Sequence, residues 1–199
     1  MLQDFYGPDP KASPDYCRLI DDRAFARLKG YVDSAVKAGA KVAFGGEADA
    51  ASRYLSPTIL VDVPPDAAVM QDEIFGPVLP VLTYKKPQDA VDFIRARPPP
   101  LALYVFARSR READAVLDGT ASGGACVNNT IFHLANPDLP FGGVGPSGLG
   151  NYHGRAGFRC FSHERAVLRQ RGNPLSRFLS PPYKGRMNRL TARLARWLE

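Results

Sequence analysis

The chain has 199 residues, of which 45% are hydrophobic and 23% charged, a balance that allows a packed core and argues against disorder. No run approaches the roughly 18 apolar residues that a membrane-spanning helix needs, and the first residues lack the features of a secretory signal, which predicts a cytoplasmic protein. Residues 171–199 hold seven basic residues and one acid and so account for the net charge of +6, which excludes a nucleic-acid-binding body.

Cysteine and histidine usage predicts neither disulfides nor a metal site. Cys17, Cys126 and Cys160 are odd in number and widely spaced, so they form no disulfide framework. The only close pair of ligand types is Cys160 with His163, which is far short of a tetrahedral zinc site.

Residues 22–65 predict one helix followed by two strands. Residues 22–38 read as an amphipathic helix that Asp22 caps, with one apolar face composed of Phe25, Leu28, Val32, Ala35 and Val36. Residues 41–46 predict a short strand that ends in a glycine turn. Residues 54–63 predict a second strand, interrupted by Pro57 and followed by the loop that Pro64 and Pro65 impose.

The segment Glu-Ile-Phe-Gly-Pro at residues 73–77 lies in a turn before the next strand. On the residues alone it is a structural turn, in which Gly76 and Pro77 set the bend while Ile74 and Phe75 pack. Carboxylates are common in turns, so Glu73 by itself does not indicate a binding site.

Residues 78–128 alternate between strand and helix. Strands are predicted at 78–84, 101–107 and 124–128, and helices at 87–95 and 109–117. The near-continuous apolarity of residues 101–107 predicts a strand buried on both faces. This order predicts an α/β fold whose sheet is mainly parallel, with right-handed βαβ crossovers. Asn128 follows the last strand, where it either caps a turn or contributes to a site.

Residues 129–154 predict a long ordered loop, of the kind that is usually functional in a compact domain. Residues 143–148 match G-x-G-x-x-G by chance, because Leu-Pro-Phe precedes them and Pro146 lies inside, whereas a dinucleotide fingerprint needs a strand before and a helix after. His153 on this loop is either a proton relay or a hydrogen-bonded structural histidine. Residues 158–169 predict an extended segment.

Two segments together, Glu-Ile-Phe-Gly-Pro-Val-Leu-Pro at 73–80 and Leu-Pro-Phe-Gly-Gly at 139–143, resemble the last third of an aldehyde dehydrogenase. The resemblance covers about residues 4–170, and Tyr-His-Gly at 152–154 is similar to the class 3 and coniferyl aldehyde dehydrogenase branch. It implies that residues 1–170 are the C-terminal portion of a catalytic and oligomerisation region. It also implies an enzyme that uses NAD or NADP to oxidise an aldehyde and that forms homodimers, with a last strand at about 161–169.

The resemblance assigns roles to individual residues. Glu73 matches the residue that accepts hydrogen bonds from the nicotinamide ribose, and Phe75 the residue that packs beside it. Phe141 is similar to a residue that lines the substrate tunnel, and Asn128 and His153 are further substrate-side candidates. No residue matches the catalytic cysteine or the general base, both of which lie further towards the N-terminus in the family.

The 199 residues alone are therefore expected to be inactive, to bind the cofactor poorly and to self-associate through surface that the family covers. The alternative is a non-catalytic module that binds a partner or a membrane, or one half of a split enzyme. Residues 171–199 form a basic tail, and the apolar spacing of its last part predicts an amphipathic helix whose apolar face is Met187, Leu190, Leu194, Trp197 and Leu198. This helix either docks on the protein or touches an anionic membrane weakly through residues 183–199.

Overall fold

The computed structural model describes residues 2–172, Arg193 and Arg196. The chain divides into two compact units between Phe93 and Ile94. Within the described residues, no helix has both the length and the apolar character needed to cross a membrane. The amphipathic helix predicted near the end of the basic tail falls almost wholly outside the described residues, so its membrane or docking role stays a prediction.

The first unit is built around a three-stranded mixed sheet. Its elements are α1 (Leu2–Tyr6), α2 (Asp22–Lys37), β1 (Lys41–Phe44), β2 (Ala48–Asp49), β3 (Tyr54–Leu55), β4 (Thr58–Val61), a 3-10 turn (Ala68–Met70) and β5 (Val78–Val81). The strand order is β1-β4-β5, with β1 antiparallel and β5 parallel to β4. Strands β2 and β3 form a separate two-stranded antiparallel sheet.

Helix α2 covers one face of this sheet and supplies much of the core. Its N-cap is Asp21, whose carboxylate accepts a hydrogen bond from the Ala24 amide at 2.7 Å, so the predicted cap at Asp22 is wrong by one residue. Leu28 is completely buried, whereas Val36 is 44% exposed and lies outside the core. The buried cluster comprises Leu28, Val32, Ala35, Ala40, Leu55, Leu60, Val63, Val69 and Val78.

The second unit contains one parallel strand pair. Helix α3 (Pro87–Arg95) spans the division point and is followed by β6 (Ala102–Val105), α4 (Arg110–Gly119), β7 (Gly124–Val127), α5 (Phe132–Ala135), a 3-10 turn (Gly145–Ser147) and α6 (Gly154–Cys160). Strands β6 and β7 pair in parallel across α4, as the βαβ prediction requires. Strand β5, however, pairs with β4 and not with β6, so a single mainly parallel sheet is not found among the described residues.

Two further expectations for the second unit are wrong. The strand around residues 101–107 is not buried on both faces, since Tyr104 is 38% and Phe106 68% exposed; a two-stranded sheet leaves much of its surface uncovered. Residues 158–169 are not extended throughout, because α6 continues to Cys160 and no strand follows among the described residues. The stretch from Gly154 has few β-branched residues, which leaves its first part free to form a helix.

Tyr16 ties the N-terminal segment to β3 and titrates abnormally. Its hydroxyl donates to the Leu55 carbonyl at 2.7 Å, and the Tyr6 and Tyr54 rings pack edge-on against it at 5.1 and 5.7 Å. Burial, reinforced by Tyr54 and Tyr6, raises the pKa of Tyr16 above its ordinary value of 10.0. The folded state therefore favours the neutral phenol. The stability this contributes is fully present below pH 10 and is lost as the pH rises further.

We expect Tyr16→Phe to lower the free energy of unfolding by about 0.5–1.5 kcal/mol at about pH 8, because the hydrogen bond to Leu55 is lost. Between about pH 9 and about pH 11 the variant loses less stability than the parent, because it no longer titrates at this position. Urea unfolding across this range checks both effects, with the exposed Tyr84→Phe as control. Parallel stability curves for parent and variant would contradict the assignment.

Candidate functional site

The first candidate site is the turn of residues 72–77, which precedes β5. It carries Glu73 and Phe75, two residues predicted from the sequence to bind a ligand, and both are exposed. Phe75 has a φ of 43° and is 78% exposed. A positive φ is unfavourable for a bulky residue, and so is an aromatic ring in water, so the surrounding structure holds Phe75 in place at a cost.

The turn rests directly on the core. A Cβ added at Gly76 would lie 2.3 Å from Cδ1 of Leu28, so only glycine lets the turn approach α2 this closely. On the other side, the Thr58 amide donates to the Pro77 carbonyl at 2.8 Å, which ties the turn to β4. The turn is thereby fixed between a helix and a strand.

Two side chains of α2, Arg27 and Tyr31, also hold the turn, and neither is among the residues predicted from the sequence. Nη1 of Arg27 donates to the Ile74 carbonyl at 2.9 Å and to the Glu73 carbonyl at 3.3 Å. The Arg27 guanidinium lies 5.3 Å from the ring centroid of Tyr31, whose hydroxyl donates to the Asp72 carboxylate at 2.8 Å. The only signal in the sequence is the spacing of four residues between Arg27 and Tyr31, which places them on one helix face.

The turn therefore presents two groups that complement one kind of ligand. The Glu73 carboxylate makes no hydrogen bond or ion pair within the described part of the chain, so its oxygens are available to accept hydroxyl donors. The exposed Phe75 ring offers an apolar face to a planar group next to it.

The second candidate site is an aromatic cluster around Phe141 in the second unit. Phe141 and Tyr152 form an antiparallel bridge, with N–H···O distances of 3.0 and 2.9 Å, that closes the long loop. The Phe141 ring contacts those of Tyr152 at 5.5 Å, His133 at 5.7 Å and His153 at 6.0 Å, the last nearly stacked at 26°. The structure thus brings together Phe141 and His153, both predicted from the sequence.

Both histidines of the cluster have a buried nitrogen without a hydrogen-bond partner in the described structure, Nε2 of His133 and Nδ1 of His153. Nδ1 of His133 lies 3.3 Å from Sγ of Cys126, and the ring occupies space that a side chain at Gly124 would fill, since a Cβ there would be 2.7 Å from Cδ2. A buried nitrogen without a hydrogen-bond partner costs free energy, because it has lost its contact with water. The proton-relay and structural alternatives for His153 both stay open.

Asn128 acts as an extension of the β6-β7 ladder. Its Oδ1 accepts from the Ala107 amide and its Nδ2 donates to the Ala107 carbonyl, both at 2.9 Å, at a φ of 54°. Both polar groups of the side chain are engaged in this way. Its substrate contact stays a prediction.

The glycines of the 139–150 loop allow backbone segments to touch. A Cβ at Gly142 would lie 2.1 Å from the Gly150 carbonyl oxygen, and one at Gly143 would lie 2.1 Å from that of Ser147. Gly145 begins a 3-10 turn and not a helix, which agrees with rejection of the dinucleotide fingerprint. The described residues contain no group of three or more side chains that could hold a metal ion, and all three cysteines are free.

Comparison with known proteins relates the chain to one family. The sequence model described as "Aldehyde dehydrogenase family" matches residues 6–167. The rat "Aldehyde dehydrogenase, dimeric NADP-preferring" is 50% identical over 167 residues, which cover 84% of this chain and 36% of that protein.

Two solved structures are also similar. The "Substrate bound state of Staphylococcus Aureus AldH" matches with a TM-score of 0.78 at 40% identity, and the match covers 97% of this chain and 42% of that chain. A Mycobacterium tuberculosis aldehyde dehydrogenase complexed with NAD+ has a TM-score of 0.72 at 26% identity and covers 85% of this chain and 35% of its own. The chain thus spans about two fifths of the length of these relatives.

Proposed function

Because this chain belongs to the aldehyde dehydrogenase family, we propose that it forms the nicotinamide-ribose contact and one wall of the substrate tunnel of an NAD(P)-dependent enzyme that oxidises an aldehyde to a carboxylic acid. The observation that carries the proposal is the turn of residues 72–77. It holds an available carboxylate beside an exposed aromatic ring, in a backbone conformation that costs free energy. The Glu73 carboxylate accepts hydrogen bonds from the ribose hydroxyls, and the Phe75 ring packs beside the ribose and the nicotinamide.

In this proposal the residues of the chain position the cofactor and the aldehyde. Glu73 and Phe75 orient the nicotinamide, which when bound accepts a hydride from the substrate. Phe141, held by the bridge to Tyr152 and by the ring of His153, shapes the apolar wall along which the aldehyde lies. This aromatic lining supports a preference for aromatic aldehydes of the coniferyl type.

The nucleophile and the general base are supplied by segments other than these 199 residues. Cys126 lies half-buried against His133, while Cys17 and Cys160 are exposed, and none of the three follows the Gly-Gln that precedes the family's catalytic cysteine. The isolated chain is therefore inactive. The complete enzyme is a homodimer, in keeping with the printed name of the rat relative, and free cysteines fit a reducing compartment such as the cytoplasm.

A chimera tests the proposal. Residues 6–167 replace the matching segment of the Staphylococcus aureus enzyme, and formation of NADH or NADPH is followed with coniferyl aldehyde and with a short aliphatic aldehyde. We expect turnover by the chimera, faster with the aromatic aldehyde, and none by the 199-residue chain. A folded chimera without activity, or aldehyde oxidation by the chain alone, would contradict the proposal.

Within this chimera, we expect Glu73→Gln to raise the KM for the cofactor about tenfold, because an amide is a weaker acceptor than a carboxylate. The KM for aldehyde changes little, since Glu73 acts on the cofactor. Steady-state kinetics with each substrate varied in turn separate these effects. Asp66→Asn, which also removes an exposed carboxylate from the first unit, serves as the control. Equal changes in the KM for the cofactor in the two variants would show that Glu73 does not bind the cofactor.

A further inference from the structure

We propose that Arg27 and Tyr31 of α2 form a clamp whose role is to position Glu73 and Phe75 for the cofactor. The clamp comprises these two side chains and their contacts with the turn of residues 72–77. This inference rests on the proposed function and adds two positioning residues to it.

Arg27 sets the backbone immediately before Phe75. Its guanidinium binds the carbonyls of Glu73 and Ile74, and the Ile74 carbonyl belongs to the peptide plane that joins Phe75. Fixing that plane restricts the φ of Phe75, which is 43°. The charge-assisted bonds help to offset a conformation that a bulky residue otherwise avoids.

Tyr31 orients Arg27 and holds the start of the turn. Its ring lies 5.3 Å from the guanidinium, a cation–π distance, and limits the positions that the Arg27 side chain can adopt. Its hydroxyl donates to Asp72, the residue just before Glu73. One tyrosine thereby restrains both ends of the segment that carries the ligand-binding residues.

The clamp serves the site more than the fold. The core beneath the turn is formed by Leu28, Val32 and Ala35 of α2. Arg27 and Tyr31 lie on the neighbouring stripe of the helix and are only partly buried, and Tyr31→Phe keeps the ring that packs against the edge of this core. Without the clamp, the exposed Phe75 ring is free to leave its outward position and cover apolar surface on its own unit. Loss of the clamp therefore changes the turn before it changes global stability.

Amide hydrogen exchange on the 199-residue chain tests the positioning directly and needs neither cofactor nor activity. We expect Arg27→Met and Tyr31→Phe each to speed exchange about fivefold at the Val78 and Thr58 amides, which donate to the Gly76 and Pro77 carbonyls of the turn. A fivefold change corresponds to the loss of roughly one hydrogen bond or cation–π contact that holds the turn. Amides in the core of α2 keep the parental rate. Lys29→Met removes a cation from the same helix, one that pairs with Asp33 and not with the turn, and serves as the matched control. Exchange at the amides that bond to the turn that is no faster in Arg27→Met and Tyr31→Phe than in this control would overturn the proposed role of the clamp.

Steady-state kinetics in the chimera test whether the clamp of Arg27 and Tyr31 contributes to cofactor binding. We expect Tyr31→Phe and Arg27→Met to raise the KM for NAD about fivefold while kcat and the KM for aldehyde change less than about twofold. We expect Arg27→Lys to give a KM for NAD between those of the parent and of Arg27→Met. It keeps a cation near the turn but loses the planar guanidinium that lies over the Tyr31 ring. Equal changes in all three constants would indicate a merely structural role and overturn the inference. A parent chimera without activity contradicts the proposed function instead, and the exchange rates then decide the clamp alone.

Discussion

A Gly143→Ala substitution is expected to lower the free energy of unfolding by about 3 kcal/mol. The added Cβ would lie 2.1 Å from the Ser147 carbonyl oxygen and 2.4 Å from the Gly148 nitrogen. Both obstacles are backbone atoms, which no side-chain rotation can move. The loop must therefore open, and with it the bridge that holds Phe141 beside Tyr152.

Urea unfolding of the 199-residue chain, followed by circular dichroism, measures this loss. Gly145→Ala is the matched control, because a Cβ there meets no atom within 4 Å and the only penalty is the positive φ of 61°. Alanine at such a φ costs about 1 kcal/mol. Equal losses at the two positions would show that backbone strain, and not close approach, explains the glycines of this loop.

Leu28→Ala is expected to lower the free energy of unfolding by about 2–5 kcal/mol, because it empties the centre of the first unit's core. Leu28 is completely buried among the side chains of α2 and β4 and lies under Gly76. Val36→Ala on the same helix removes an exposed side chain and should change stability by no more than about 0.5 kcal/mol. Urea unfolding compares the two variants.

A double variant sharpens this test, because Gly76 and Leu28 compete for the same space. We expect Gly76→Ala alone to destabilise by about 1–3 kcal/mol, since its Cβ would lie 2.3 Å from Leu28 Cδ1. In the Leu28→Ala background the same methyl enters the vacated volume, so its cost falls or changes sign. Additive losses would mean that the turn of residues 72–77 does not rest on Leu28.

The elements that the sequence predicts well are those set by local patterns. The apolar period along residues 22–38 identifies α2, and its three buried residues come from the predicted face. Pro87 and the prolines after Arg97 delimit α3, whose predicted bounds are confirmed. Strands β1, β4, β6 and β7 also lie where alternation and turn residues place them.

The elements that the sequence predicts poorly depend on distant partners. Strand β5 could pair with β4 or β6, and only tertiary packing decides for β4. The exposure of Tyr104 in β6 follows from the number of strands that join its sheet, which no local pattern contains. The sequence of residues 158–160 favours neither the helical nor the strand periodicity strongly, and their position in the fold places them in α6.

The candidate sites divide in the same way. By itself, the sequence determined the family, the two motifs and the chemical types at Glu73, Phe75 and Phe141, because these are properties of residues close together along the chain. Only the tertiary structure decided that Arg27 and Tyr31 hold the turn of residues 72–77, that His133 and His153 flank Phe141, and that Ala107 engages Asn128. Most of these contacts join residues far apart in the chain, so their geometry exists only once helix, sheet and loop have packed together.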